Sequence, residues 1–388
     1  MITIPFNKPA LLGPELDCMR QAVANKQISG DGAFTRKVHS ILEEILPGSR
    51  VLLTTSCTHA LEMAALLLDL QPGDEFIAPS FTFTSTLNAF ILRVARPVFA
   101  DIRPDTLNID ETRLESMITR RTRAIVVVHY AGVGCAMNRI LALAATHGIP
   151  VVEDNAHGLM GSYQGKALGT FGVFATQSFH ETKNFTCGEG GALVVNNEEY
   201  CERAEILREK GTNRSRFFRG QVDKYTWVDI GSSYLPSDLL AAYLYVQLSD
   251  RERIQARRKA IWERYCHGLQ SWASESNVGL PHVPPDCAQP YHMFYLLLPT
   301  PEDRHALIRH LAEAGIAAVF HYLPLHLSPV GLKYGGRRGD CPVTEDVSDR
   351  LLRLPFFYDL LEEEQRTVIR TIQSFRVRQA RAINRQRV

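Results

Sequence analysis

Three short polar clusters in this chain carry side chains that could do chemistry together. The first is TTSCTHA (54–60), which runs from an apolar stretch into a helical one. Small hydroxyl residues at a helix start offer free N–H groups and side-chain donors to a phosphate. A plain N-cap by Ser56 would explain the same residues without a ligand. The second is VVEDNAH (151–157), where a carboxylate follows a buried strand. Such a group is costly unless it is capped or paired with a cation or metal. A protonated pyridinium nitrogen is one such cation, and Asp154 is its candidate partner. The third is SFHETKNFTCGEGG (178–191), with Lys183 in a polar turn between two strand-like runs. A lysine amine can form a Schiff base with an aldehyde when its pKa is lowered, although a loop lysine is commonly just solvated. A phosphate cradle, an aspartate for a ring nitrogen and a lysine for an aldehyde are together the groups that pyridoxal phosphate (PLP) needs.

Those residues must be positioned by elements. Phe34, Val38, Ile41, Leu42 and Ile45 share one helical face. RVLLTT (50–55) reads as a strand and THALEMAALLLDL (58–70) as a helix that stops at the turn QPGD. EFIAPS (75–80), PVFADI (97–102), AIVVVHY (124–130), PVVEDNA (150–156), FATQSFH (174–180) and GALVVN (191–196) read as further strands. Helices are expected at 84–95, 111–118 and 139–147 between them. Near-continuous apolar strands are buried on both faces, as in a parallel sheet covered by helices. Residues 1–245 are therefore expected to form an α/β lobe, with helix 238–251 as a connector. Residues 246–388 are expected to form a smaller α+β lobe, with HMFYLLLP (292–299) and IAAVFHYL (316–323) as strands, a helix at 304–314 and a terminal helix. In an open α/β sheet, ligands bind beyond the carboxyl ends of the strands, which is where the three polar clusters fall.

Composition narrows the function classes. With 388 residues, 45% apolar and 22% charged, the chain has the make-up of an ordinary globular protein. A net charge of +1 gives no general attraction to nucleic acid or an anionic membrane. No stretch approaches 18 uninterrupted apolar residues, and the start MITIPFNKPALLGPELD lacks the pattern of a signal peptide. Eight cysteines are scattered without a CxxC pair or zinc-like spacing. Free thiols, no metal and a cytoplasmic address are the expectation. Five arginines between Arg376 and Val388 read as a solvated helix end or tail.

SGDGAFTRK, SCTHALEMA, PGDEFIAPSFTFTSTLNA, VFADIRPDTLNID, VVEDNAH, SFHETKN, EGGALV and HYLPLH span nearly the whole chain. In these the sequence resembles the DegT/DnrJ/EryC1/StrS sugar aminotransferases. The resemblance implies a fold-type I PLP-dependent transferase, with a mostly parallel seven-stranded sheet between helices in the large lobe. It implies that Lys183 is the Schiff-base lysine, Asp154 the partner of the pyridine nitrogen and Phe83 the aromatic stacked on the ring. It places His157 near the ring hydroxyl. Thr58, the amide of His59 and Ser178 would hold the phosphate, with Ser233 reaching it from a second subunit. Cys57 stands where the group commonly has glycine, and Ser233 where it has asparagine. His321, Tyr322 and His326 match the HYxPLH element near the sugar. Arg219, with Lys210, Arg214 and Arg216, is a candidate for diphosphate contacts. The implied substrates are a nucleotide sugar and L-glutamate, and the implied assembly is a homodimer with shared active sites. A lysine at 183 also argues against the PLP-dependent dehydratases of this group, which carry histidine there. A non-catalytic regulator on the same fold is the reading from a different class.

Overall fold

The computed structural model describes residues 2–377, so most of the arginine-rich end falls outside the described residues. Seven strands form the main sheet: β1 (Arg50–Thr54), β2 (Glu75–Pro79), β3 (Arg96–Ala100), β4 (Thr122–Val128), β5 (Val151–Asp154), β8 (Phe174–Ser178) and β9 (Gly191–Val195). Their order is β1-β9-β8-β5-β4-β2-β3. β3, β2, β4, β5 and β8 run parallel, and β9 is antiparallel to both of its neighbours. This is the mainly parallel seven-stranded architecture expected from the sequence.

The two-residue period of the strands sends alternate side chains to opposite faces. Leu52, Phe76, Val126, Val152, Phe174 and Leu193 face helices Cys57–Leu67 and Thr84–Ile91. Ile77, Ile125, Val127 and Val151 face helix Met137–Thr146 on the other side. Further along that side, Val51, Leu53 and Val194 pack on helices Ala33–Ile45 and Asp238–Ser249. Both faces are buried, which is why the strands read as unbroken apolar runs. Each fully buried Leu, Ile or Phe contributes about 1.5–3 kcal/mol of transfer free energy.

One buried contact joins two distant sequence motifs. The Phe34 and Thr35 amides donate to the Asp238 carboxylate at 3.2 and 2.8 Å, and the Thr35 hydroxyl donates at 2.7 Å. Asp238 thus caps helix Ala33–Ile45 from across the structure. A Cβ on Gly32 would lie 2.3 Å from that carboxylate, which accounts for the second glycine in SGDGAFTRK.

The C-terminal part has its own core of Phe294, Leu296, Leu298, Leu307, Leu311 and Val368. The long helix Arg251–Glu275 and helices Pro301–Glu313 and Glu362–Ser374 surround a short antiparallel pair, β11 (Tyr295–Leu297) with β12 (Leu351–Arg353). Ile4 from the N-terminal segment belongs to this core. A small sheet of β10 (Cys287–Ala288), β6 (Ser162–Tyr163) and β7 (Lys166–Ala167) ties the two parts together. The expected division at 245/246 falls inside helix Asp238–Ser249. The expected strand 316–323 does not form. That segment makes only single bridges, Ile4 with Ile316 and Val319 with Arg353, and then leaves the ladder to carry His321 and Tyr322 into a cleft.

Candidate active site

The carboxyl ends of β1, β2, β5 and β8 open onto one cleft of about 750 Å³, closed on the far side by residues of the C-terminal part. Thr58, Phe83, Asp154, His157, Ser178, Lys183, His321 and Tyr322 all line it. Residues separated by more than 260 positions therefore converge where an open α/β sheet places ligands.

β5 shows how one strand serves core and cleft at once. Adjacent Glu153 and Asp154 point to opposite faces. Glu153 is fully buried and accepts from the amides of Gly169, Phe171 and Gly172 at 2.7–2.9 Å and meets His129 Nε2 at 2.9 Å. Asp154 faces the cleft. The Thr86 hydroxyl donates to its Oδ2 at 2.6 Å and the Ala156 amide to its Oδ1 at 3.2 Å. Asp154 is thus held in orientation with acceptor capacity left toward the cleft.

Lys183 lies in the turn after β8, its amide donating to the His180 carbonyl at 2.9 Å. Burial pulls its ammonium down from an ordinary 10.5 to about 8, with Asp154 acting in the opposite direction. Near its lower end the cleft meets the start of helix Cys57–Leu67. Ser56 caps that helix, accepting from the His59 amide at 3.1 Å. Gly191 makes room for it, since a Cβ there would lie 2.3 Å from the Cys57 nitrogen. The Cys57 thiol rests 3.4 Å from the Thr176 hydroxyl, and burial, reinforced by Asp154, pushes it up to about 12. It is a protonated thiol at neutral pH.

His157 is buried, and its Nδ1 has no hydrogen-bond partner. Its ring stacks on His292 with centroids 4.3 Å apart and planes 18° apart. Burial, aided by the charges of Lys183 and Arg353, holds His157 well below the usual histidine range. His292 is itself fixed. Its Nδ1 lies 2.9 Å from Asn184 Oδ1, and Asn184 Nδ2 donates to the Pro290 carbonyl at 2.6 Å. The buried guanidinium of Arg258 donates to the Tyr291 and His292 carbonyls at 3.0 and 2.6 Å. Tyr130, also buried, places its hydroxyl 3.0 Å from His321 Nδ1. His292, Asn184, Arg258, Tyr130 and the cleft-lining Arg353 are parts that sequence reasoning missed. Tyr130, His292 and Arg353 sit inside or beside apolar runs, Arg258 is one of many charged residues on its helix, and Asn184 follows Lys183 in its polar turn with nothing in the sequence to set it apart.

Four expected residues lie elsewhere. The His59 amide is already used by the Ser56 cap, and its ring turns to Thr55 and Tyr234. The other first-turn amides are those of Cys57 and Thr58, two residues that line the cleft. His326 is buried outside the cleft. Ser80 Oγ and Glu345 Oε1 stand 2.6 and 3.0 Å from its ring nitrogens, so it anchors the HYLPLH turn to the end of β2. It does not share the cleft with His321 and Tyr322, because the chain reverses after Pro324 into the turn Leu325–Leu327. Arg219 is exposed and ion-paired with Glu205 at 2.8 Å, while Arg214 and Arg216 pair with Glu209 and Glu202. Ser233 is exposed and bridges Glu209, outside this chain's own cleft.

The donor set fits PLP. A buried imidazole nitrogen without a partner, a positioned carboxylate, a buried lysine and a capped helix start surround one space. Lys183 would carry the aldehyde, Asp154 the ring nitrogen, and Thr58, Ser178 and the first-turn amides the phosphate. No helix among the described residues is long and apolar enough to cross a membrane. No cluster of His, Cys, Asp and Glu among them could hold a metal.

Fold and cleft together define a PLP-dependent transferase. Residues 13–373 match the model of the DegT/DnrJ/EryC1/StrS aminotransferase family, and the chain belongs to that family. It is 33% identical over 318 residues to the pleiotropic regulatory protein of Geobacillus stearothermophilus, covering 81% of this chain and 82% of that one. Among solved structures, the aminotransferase TlmJ from Streptoalloteichus hindustanus superposes with a TM-score of 0.87 at 30% identity, over 95% of this chain and 98% of that one. Spr1654 of Streptococcus pneumoniae, solved in its PMP form, gives 0.88 at 27% identity, over 96% and 98% of the two chains.

Proposed function

We propose that this chain is a nucleotide-sugar aminotransferase that moves an amino group from L-glutamate to C4 of dTDP-4-keto-6-deoxy-D-glucose. The product would be dTDP-4-amino-4,6-dideoxy-D-galactose, a precursor for a cell-surface polysaccharide of the enterobacterial common antigen type. The chain would then be a dTDP-4-amino-4,6-dideoxygalactose transaminase acting in the cytoplasm. The observation that carries the substrate assignment is the run REKGTNRSRFFRGQVDKYTWVDIGSSYLPSDLLAAYL (208–244), which resembles that member of the family.

PLP, when bound, supplies an aldehyde for the amino group and a ring that accepts electrons from the substrate carbon. Lys183 would hold it through its buried amine, and the same amine would carry a proton to and from the reacting carbon. Asp154, fixed by Thr86, would keep a proton on the ring nitrogen. Phe83, 59% exposed and 6.4 Å from the Tyr322 ring centroid, offers a flat face to cover the ring. His157, whose Nδ1 has no partner, would offer its imidazole to the ring hydroxyl. The cycle runs in two halves, so a small dicarboxylate and then a bulky nucleotide sugar must enter one cleft. We assign Tyr322 and His321 to the sugar end.

A homodimer with shared sites is part of the proposal. The segment that holds Ser233 also exposes Phe218, Trp227, Val228 and Ile230, an apolar strip of the kind that marks protein interfaces. Arg219 and its neighbours would reach a diphosphate there only after leaving their glutamate partners. An amino-transfer assay across a panel of keto-sugar nucleotides tests the assignment. Turnover concentrated on dTDP-4-keto-6-deoxyglucose is expected. Preference for another keto-sugar would leave the enzyme class intact and replace the substrate.

A further inference from the structure

His157 lines the cleft, yet among the described residues its ring makes no hydrogen bond, and its buried Nδ1 is left bare. A histidine ring turns over a broad range about χ2 unless something fixes it. Ring contacts alone do so here. Tyr130 and His321 approach with centroids 6.1 and 6.2 Å away. His292 lies nearly face to face, at 4.3 Å and 18°. The plane of His157 is therefore set chiefly by His292.

His292 is locked in turn. The Pro290 carbonyl can only accept, so the Asn184 atom 2.6 Å from it is the amide nitrogen. The Asn184 oxygen then faces His292, which donates to it from Nδ1 at 2.9 Å. That bond fixes both the tautomer and the ring plane. Burial, aided by the charges of Lys183 and Arg353, holds both histidines well below their usual range, so two neutral rings stack without like-charge repulsion. The backbone is held as well. Tyr291 sits at φ 53°, a left-handed conformation that is strained for a bulky residue. Arg258 bonds the carbonyls of Tyr291 and His292 and keeps the turn in place. Asn184 adjoins Lys183, whereas His292 and Arg258 belong to the C-terminal part, so the lysine turn is tied to that part through the same bond.

We propose that His292, locked by Asn184, is a positioning residue that holds the His157 imidazole in the orientation it presents to the cofactor's ring hydroxyl, a proposal that rests on placing His157 beside that hydroxyl. A donor there stabilises negative charge on the ring oxygen, so the cofactor's absorbance band changes with pH at a lower midpoint when the contact is made than when it is lost.

The test titrates that band in wild-type, His157→Phe, His292→Leu and His292→Phe holoenzymes and in the double variant His157→Phe/His292→Leu, each first shown to bind PLP and to melt cooperatively. His157→Phe should raise the midpoint by roughly one pH unit, the scale of one hydrogen bond to a charged group. His292→Leu should raise it by roughly half as much. His292→Phe, which keeps a flat ring but cannot bond Asn184, should raise it by less. In the double variant His292→Leu should add nothing, because its effect passes through His157. A wild-type midpoint in both His292 variants would overturn the proposal, as would the same His292→Leu increment in the His157→Phe background. Should His292→Leu fail to fold, His292→Phe decides alone: a raised midpoint supports the proposal and a wild-type midpoint overturns it. A wild-type midpoint in His157→Phe would remove His157 from the ring hydroxyl, and the proposal with it, while leaving Lys183 as the anchor.

Discussion

Lys183 is a nucleophile only when its amine is neutral, and burial supplies that condition. With a pKa near 8, about half of the amine is free at pH 8, whereas an unperturbed lysine would be under about 1% free there. The shift is downward, so the reactive form is gained as pH rises through about 8 and lost below it. Capture of added PLP by the cofactor-free enzyme should therefore accelerate from pH 6 to 8.5 and then level off. A rate still rising steeply at pH 10 would mean an unshifted lysine. Asp154→Asn should keep the fold, because the Ala156 amide can still donate to Oδ1 while the Thr86 hydroxyl turns to Thr82 and accepts from Nδ2. It should lower kcat by on the order of 10²-fold, the cost of removing one preorganised charge at a reacting centre; steady-state kinetics beside a melting curve would check it. Asp154 was legible because it breaks an apolar strand at its carboxyl end, and Lys183 because it stands in a short polar turn between two strand-like runs. Arg353 and His292 were not, because nothing in RLLRLP or YHMFYL says which way a side chain points. His326 misled for the opposite reason. It shares a motif with His321 and Tyr322, but the turn between them puts it in the core.

At the scale of elements, the proposed phosphate end of the site is a helix start held against an antiparallel strand. Gly191 is the contact point, with no room for a Cβ beside the Cys57 nitrogen and the Ser56 carbonyl. Gly191→Ala should displace the helix start and destabilise the protein by roughly 1–3 kcal/mol. Affinity for PLP should fall more than the melting temperature implies; thermal denaturation paired with cofactor titration measures both. Normal PLP affinity in that variant would detach the helix start from the phosphate. The seven strands of the main sheet were readable from their apolar runs to within a residue or two, since burial on both faces leaves a strong signal. Segment 316–323 is equally apolar but forms no strand. Its neighbours offer only the single-residue pairings of Ile316 and Val319, and pairing is a tertiary property that composition does not carry.

At the scale of the whole molecule, two cores share one cleft, and the N-terminal segment crosses between them. Ile4 packs in the C-terminal core, while Phe6 covers Arg353 at the cleft wall. A sequence boundary drawn at 245/246 misses this exchange because one strand of contact over several residues has no compositional mark. The proposed homodimer predicts a sedimenting species of twice the chain mass. Trp227→Asp, at a side chain 76% exposed in the single chain, should shift it toward monomer and weaken PLP binding, and a persistent monomer in the wild type would contradict shared sites.

The most direct test of the central claim is to locate the cofactor's attachment. Borohydride reduction of the purified holoenzyme, followed by digestion and peptide mass spectrometry, fixes and finds it. The PLP-derived mass should sit on Lys183 alone, and Lys183→Ala should lose both that adduct and the absorbance band at roughly 410–430 nm. An adduct on another lysine, or an unchanged band in Lys183→Ala, would contradict the account.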